Sequence, residues 1–86
     1  MGKYEKVLQD VLSGKKDGNI NFNELCCLLE KLGCKQERIA GSHHIFSYKN
    51  VAELIDIQPD KRDHSKAKAY QVKQVKKFIV KYIEVL

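Results

Sequence analysis

Between Cys34 and Pro59 the apolar residues of this chain stop recurring at intervals of three and four and begin to alternate, while the helical interval holds on either side. A period of two belongs to strands and a period near 3.6 to helices, so the chain is divided into helical, extended and helical parts before any residue is considered singly. With 86 residues there is room for one hydrophobic core and not for two. The helices and strands therefore have to pack on one another.

The local signals place the elements. Tyr4, Val7, Leu8, Val11 and Leu12 recur at helical spacing, and Ser13-Gly14 with Lys15-Lys16-Asp17-Gly18 ends that run in a polar loop. Asn21 stands where an N-cap belongs, with Glu24 three residues on, and Phe22, Leu25, Cys26, Leu28, Leu29 and Leu32 form an apolar stripe that Gly33 terminates. This predicts a second helix over 22–32. Glu37 to Ala40, His44 to Tyr48 and Glu53 to Gln58 read as strands, joined by the turn formers Gly41-Ser42 and Lys49-Asn50 into an antiparallel meander. Pro59 closes the meander, and the charged stretch from Asp60 to Ser65 leads into a last helix from about Ala67 to Ile83. On that helix Val72, Val75, Ile79, Tyr82, Ile83 and Leu86 share one face, and Lys66, Tyr70, Lys73, Lys77 and Lys81 share the opposite one.

The expected fold is α+β: a three-stranded antiparallel sheet with two main helices on one face, preceded by an extra N-terminal helix. Double-stranded-RNA-binding domains use this arrangement and read RNA by shape and phosphates. Residues 1–18 read as an N-terminal helical extension and loop, and residues 19–86 as the main domain.

Charge is unevenly distributed. The segment from Lys61 to Tyr82 carries eight basic residues against the single acid Asp63, a local +7 within a chain of net +5, so the remainder is −2. A basic segment on a mildly acidic body fits a polyanion partner, because each neutralised phosphate releases counterions. The competing account is a solvated helix face. No apolar stretch is long enough to cross a bilayer, no export signal opens the chain, and Cys26, Cys27 and Cys34 are odd in number, which together point to a soluble protein of a reducing cytoplasm. Zinc-type ligand spacing is absent, since Cys26 and Cys27 are adjacent and the histidines lack an H-x₃-H pattern, so no metal and no cofactor is expected. Asp56, Asp60 and Asp63 read as solvated acids balancing Lys61 and Arg62.

The chemistry-bearing feature is Gly41-Ser42-His43-His44-Ile45-Phe46, two histidines just past a turn. Imidazole exchanges a proton near neutral pH, which suits general acid–base work. Alternation puts His43, Ile45 and Ser47 on one face of the strand and His44, Phe46 and Tyr48 on the other. If Phe46 and Tyr48 are core, His43 is exposed; if Ile45 is core, His44 is.

This segment, following an Asn-Phe-x-Glu-Leu helix that ends in Leu32-Gly33, resembles the HicA toxin family, whose compact members carry a Gly-Ser-His-His-type motif at the same point. The resemblance spans about Asn21 to Tyr82. It implies a double-stranded-RNA-binding-domain-like fold, ribosome-independent cleavage of mRNA, neutralisation by a HicB antitoxin, and dependence on a histidine of the motif, with His43 or His44 as the catalytic residue here. RNA carries its own nucleophile, so such an enzyme need only remove the 2′-hydroxyl proton and stabilise the phosphate. Gly41 and Ser42 could hold a phosphate, with Lys66, Tyr70, Lys73 and Lys77 binding single-stranded RNA further away. A non-catalytic RNA-binding or antitoxin-docking module is the alternative, in which the basic helix matters and neither histidine does. The chain departs from compact members in its first 18 residues, in Ile57-Gln58-Pro59-Asp60 and in Lys66-Ala67-Lys68-Ala69-Tyr70, as a longer HicA subgroup would.

Overall fold

The computed structural model describes residues 3–83. In chain order the elements are helix α1 (Lys3–Ser13), a 3-10 turn at Asp17–Asn19, helix α2 (Phe22–Lys31), strands β1 (Cys34–Ala40), β2 (His43–Tyr48) and β3 (Val51–Ile57), and helix α3 (Ala69–Tyr82). The three strands form one antiparallel sheet in the order β1-β2-β3, with β2 in the middle. The expected α+β order is present, including the N-terminal helix α1. No helix among the described residues is long and apolar enough to cross a membrane.

Three boundaries differ from the periodicity reading by two residues or more: β3 starts at Val51 rather than Glu53, where Val51 pairs with Tyr48, and two others differ for identifiable reasons. Strand β1 starts three residues earlier than expected, because Cys34 pairs with Tyr48 and is buried with it. Helix α3 starts two residues later, because the Ala67 amide donates to the Ile20 carbonyl at 2.9 Å and ties this stretch to the loop before α2. Lys66, expected on the polar face of the last helix, is thereby held off it in a bridge to Asn21. Leu86, assigned to the apolar face of that helix, lies outside the described residues.

Local chemistry accounts for the other boundaries. The Asn21 side chain accepts from the Glu24 amide at 2.9 Å, satisfying an otherwise orphan donor of the first turn of α2. Past its other end Gly33 has φ +102°, and a Cβ there would sit 3.4 Å from the Tyr48 ring. Gly41 has φ +63° and opens a two-residue turn between the paired Ala40 and His43, the position at which a type II′ hairpin turn requires a positive φ.

One core holds the layers together. Phe46, Tyr48, Ile55 and Ile57 of the sheet pack with Phe22, Leu25, Leu28 and Leu29 of α2 and with Val72, Val75, Phe78 and Ile79 of α3, and Val7 and Val11 of α1 join the same cluster. Phe46 is entirely buried. Burying a side chain of this size contributes about 2–3 kcal/mol over leaving it exposed. Since the inward register of β2 is set by Phe46 and Tyr48, the opposite register, His43, Ile45 and Ser47, is turned away from the helices.

Both hairpins are irregular. Between the pairs Gln36–Phe46 and Arg38–Ile45, Glu37 is an extra residue on β1, and its carboxylate accepts from the Ser47 hydroxyl. Between Tyr48–Val51 and Phe46–Ile55, β3 carries two more residues than β2, which keeps its faces in phase but slides its end along. That slide brings Ile57 opposite His44 and Asp56 opposite Ile45.

Candidate active site

The open alternative between the histidines resolves on packing. Phe46 and Tyr48 belong to the core cluster between sheet and helices, whereas Ile45 is buried outside that cluster, and His43 is the outward residue, with its side chain 46% exposed. His44 is half-buried against the core, its ring meeting Phe22 edge-on at a centroid distance of 4.8 Å, and its Nδ1 is buried without a hydrogen-bond partner. His44 packs as an aromatic residue.

His43 is held at both ring nitrogens. Nδ1 lies 2.9 Å from Oδ1 and 3.0 Å from Oδ2 of Asp56, diagonally across the β2–β3 ladder. Nε2 lies 3.1 Å from Nε2 of Gln58, which also donates to Ser42 Oγ at 3.1 Å. A carboxylate only accepts, so Nδ1 carries a proton toward Asp56, and in the neutral ring Nε2 then keeps its lone pair. This is the arrangement a general base needs: one nitrogen oriented, the other able to take a proton.

Asp56 corrects the sequence reading. It was expected to be a solvated acid balancing Lys61 and Arg62, and it binds His43 instead, because β3 alternates Ile55 and Ile57 inward and therefore sends Asp56 outward beside the histidine. Asp60 behaves as expected, accepting from the Arg62 amide at 2.8 Å and standing 4.0 Å from its guanidinium. Asp63 accepts from the Ser65 hydroxyl and amide, which hold its carboxyl below the usual carboxylate range, and it stands 3.9 Å from Lys66.

Those turns order the loop that walls the site. Ser42, Gln58, Pro59, Lys61, His64 and Lys68 line a cavity of about 260 Å³ beside His43. A more open groove, lined by Asp60, Arg62, Ala69, Tyr70 and Lys73, shares Lys61 and Lys68 with it. The two therefore form a basic path from the Gly41-Ser42 turn to the start of α3.

Of the residues singled out in the sequence, Gly41, Ser42 and His43 come together at the turn, and Tyr70, 56% exposed, stands with Lys73 at the groove. Lys77 is exposed one turn further along α3, where it borders the cleft between α3 and β3 that Asp56 also lines. Lys66 is drawn aside to Asp63 and Asn21. Gln58, Lys68 and Gln71, which the sequence reading gave no role, join the misread Asp56 in one hydrogen-bonded group around His43. A signal for Asp56 existed: a hairpin turning at Lys49-Asn50 brings the end of the third strand back beside His43.

Among the described residues no three of His, Cys, Asp and Glu gather as a metal ion would need. Residues 22–79, from the first residue of α2 to near the end of α3, match the family model described as HicA toxin of bacterial toxin-antitoxin. Comparison with curated proteins and with solved structures found no match.

Proposed function

The chain belongs to the HicA family of bacterial toxin-antitoxin toxins, and we propose that it is an mRNA interferase: an endoribonuclease of a type II pair, working without a metal and neutralised by a HicB-like antitoxin. The observation that supports this most is the placement of His43, open on the sheet face with Nδ1 on Asp56. Nε2 of His43 takes the proton of an RNA 2′-hydroxyl, which displaces the Gln58 amide from that nitrogen. The 2′-oxygen then attacks its own 3′-phosphorus, the bond to the 5′-oxygen of the next nucleotide breaks, and that oxygen takes a proton from water. The products are a 2′,3′-cyclic phosphate and a 5′-hydroxyl. His43 contributes as base, a role commonly worth about 10²- to 10⁴-fold in rate.

The surrounding residues bind the strand. Gly41 and Ser42 meet the reacting phosphate, with the cations Lys61 and Lys68 in the adjoining cavity to stabilise its charge. Tyr70 offers an exposed ring on which an unpaired base stacks, and Lys73 and Lys77 follow the phosphates along α3. Lys66, paired with Asp63, contributes charge at the far side of the loop.

The test is cleavage of a single-stranded message by the purified chain, free of antitoxin and with EDTA present. Cyclic-phosphate ends are expected, together with resistance of a strand carrying 2′-deoxyribose at the cut site and loss of cleavage in His43→Ala. Cleavage that persists at a 2′-deoxy position rules the mechanism out. Growth arrest on expression that survives His43→Ala points instead to a non-catalytic binding module.

A further inference from the structure

Gln58 lies just past the end of β3, next to the Ile57 that pairs with His44, and so reaches the level of His43. Its amide has two donor and two acceptor positions, and all four are engaged. Nε2 meets Ser42 Oγ and His43 Nε2, each at 3.1 Å, while Oε1 accepts from Lys68 Nζ at 3.0 Å and from Gln71 Nε2 at 3.3 Å.

Two independent contacts fix which end of this amide is oxygen. An ammonium cannot accept, so the atom facing Lys68 is Oε1. The backbone N–H of Gln58 likewise only donates, and it donates to Gln71 Oε1 at 2.6 Å. That leaves Gln71 Nε2 as a donor, again toward Oε1 of Gln58. The NH₂ end of Gln58 therefore faces His43, and a ring nitrogen that receives an N–H must be unprotonated. The proton belongs on Nδ1, where Asp56 accepts it. Ala40, opposite His43 on β1, brings no side-chain polar group to alter this.

The cost of the arrangement indicates its use. Gln71 is 5% exposed on α3, next to the buried Val72. A buried amide left unpaired is destabilising, and an aliphatic residue would fill the position without that exposure to loss. Held as it is, Gln71 carries a fixed polarity from the backbone of β3's end to the histidine.

We infer that Gln58 and Gln71, with Lys68, are positioning residues that keep His43 in its neutral tautomer, protonated on Nδ1, before RNA arrives. The inference rests on the reading of His43 as general base. Asp56 by itself accepts a proton from either the neutral or the charged ring; the Gln58 amide admits only the neutral one. When substrate binds, its 2′-hydroxyl takes the place of one amide hydrogen of Gln58 and meets a lone pair already aimed at it.

The experiment is long-range ¹H–¹⁵N NMR of the full chain without RNA, which separates a protonated ring nitrogen from a bare one. Free histidine favours the opposite tautomer, with the proton on Nε2, so the outcome is diagnostic. The wild-type chain is expected to show His43 protonated on Nδ1 and bare on Nε2. Gln58→Glu presents an acceptor in place of the amide hydrogens and is expected to move a proton onto Nε2, with kcat falling on the order of a hundredfold and KM little changed. Gln71→Leu and Gln58→Leu are expected to mix the tautomers. A wild-type ring protonated on Nε2 overturns the inference, as does a ring unaffected by all three substitutions, since Asp56 alone then sets it. A wild-type chain with the expected tautomer that cuts no RNA supports the relay and overturns the nuclease reading instead.

Discussion

His43 Nδ1 and Asp56 Oδ1 stand 2.9 Å apart although the two residues are not ladder partners, Asp56 being paired with Ile45. Both side chains are nearly half exposed, at 46% and 48%. Pairs this open to water contribute about 0–1 kcal/mol to stability, so orientation of the ring is the larger consequence of the contact. The extra residues that β3 carries before Ile55 set the diagonal, and with it room for Gln58 at the other ring nitrogen.

Asp56→Asn separates orientation from folding. The amide offers the same shape with half its face a donor, so Nδ1 loses its obligatory acceptor and the ring its preferred tautomer. Cleavage is expected to fall by about 10²- to 10⁴-fold, while the melting temperature stays close to that of the wild type. Single-turnover cleavage and a thermal melt on the same preparation check both halves.

The two histidines are expected to fail differently. His43→Ala removes an exposed ring and abolishes cleavage with little change in stability. His44→Phe keeps the edge-on contact to Phe22 and removes a buried nitrogen that has no partner, so cleavage is retained and stability is unchanged or higher by about 1 kcal/mol. Cleavage assays with urea titrations of the two variants decide it; the reverse pattern assigns the chemistry to His44.

Periodicity carried the reading of the fold furthest where one face is buried. The apolar stripe from Phe22 to Leu32 and the Asn21 cap set α2 to within a residue, and the alternation in β2 reduced the histidine question to a single condition, whether Phe46 and Tyr48 are core. What escaped was long-range and polar. Gln71 sits at a core position of α3 that periodicity fills with an apolar residue, and its partner Gln58 is 13 residues away behind Pro59. Asp56 was read with its sequence neighbours Asp60 and Asp63, whereas the sheet gives it to a residue 13 positions back. The offset at Glu37 and the two extra residues before Ile55 have no turn residue to announce them, so registers counted from the hairpins alone drift.

The thiols give stability a pH dependence of known sign. Burial pushes Cys26 up to about 12 and Cys34 up to about 11, whereas an unfolded chain releases thiol protons near 8.5. Above about pH 8.5 the unfolded state therefore binds fewer protons than the native state, and stability falls as pH rises toward the native values. Urea midpoints are expected to be insensitive to these groups below about pH 8 and to drop between about pH 9 and 11. Cys34→Ala lowers the midpoint at every pH, because it leaves a small cavity, but is expected to make the alkaline drop shallower. An equally steep drop in that variant assigns the effect to other groups.

Lys73 and Lys77 are exposed one helical turn apart on α3, and Lys73 shares its groove with Tyr70. If the strand runs along this face, each lysine neutralises a phosphate and releases counterions, and the logarithm of affinity falls with the logarithm of salt by about 0.7 per contact on a single strand. Reversing both to Glu is expected to weaken binding alike for all sequences and to reduce that slope by about 1.4, measured by anisotropy in a His43→Ala background to prevent cleavage. Tyr70→Ala is the contrasting case, because stacking is worth about 1–3 kcal/mol per base and releases no counterion. It should lower affinity with the salt slope intact. A double reversal that leaves the slope where it was means that the phosphates do not follow α3, and the basic path past Lys61 and Lys68 then ends at Tyr70.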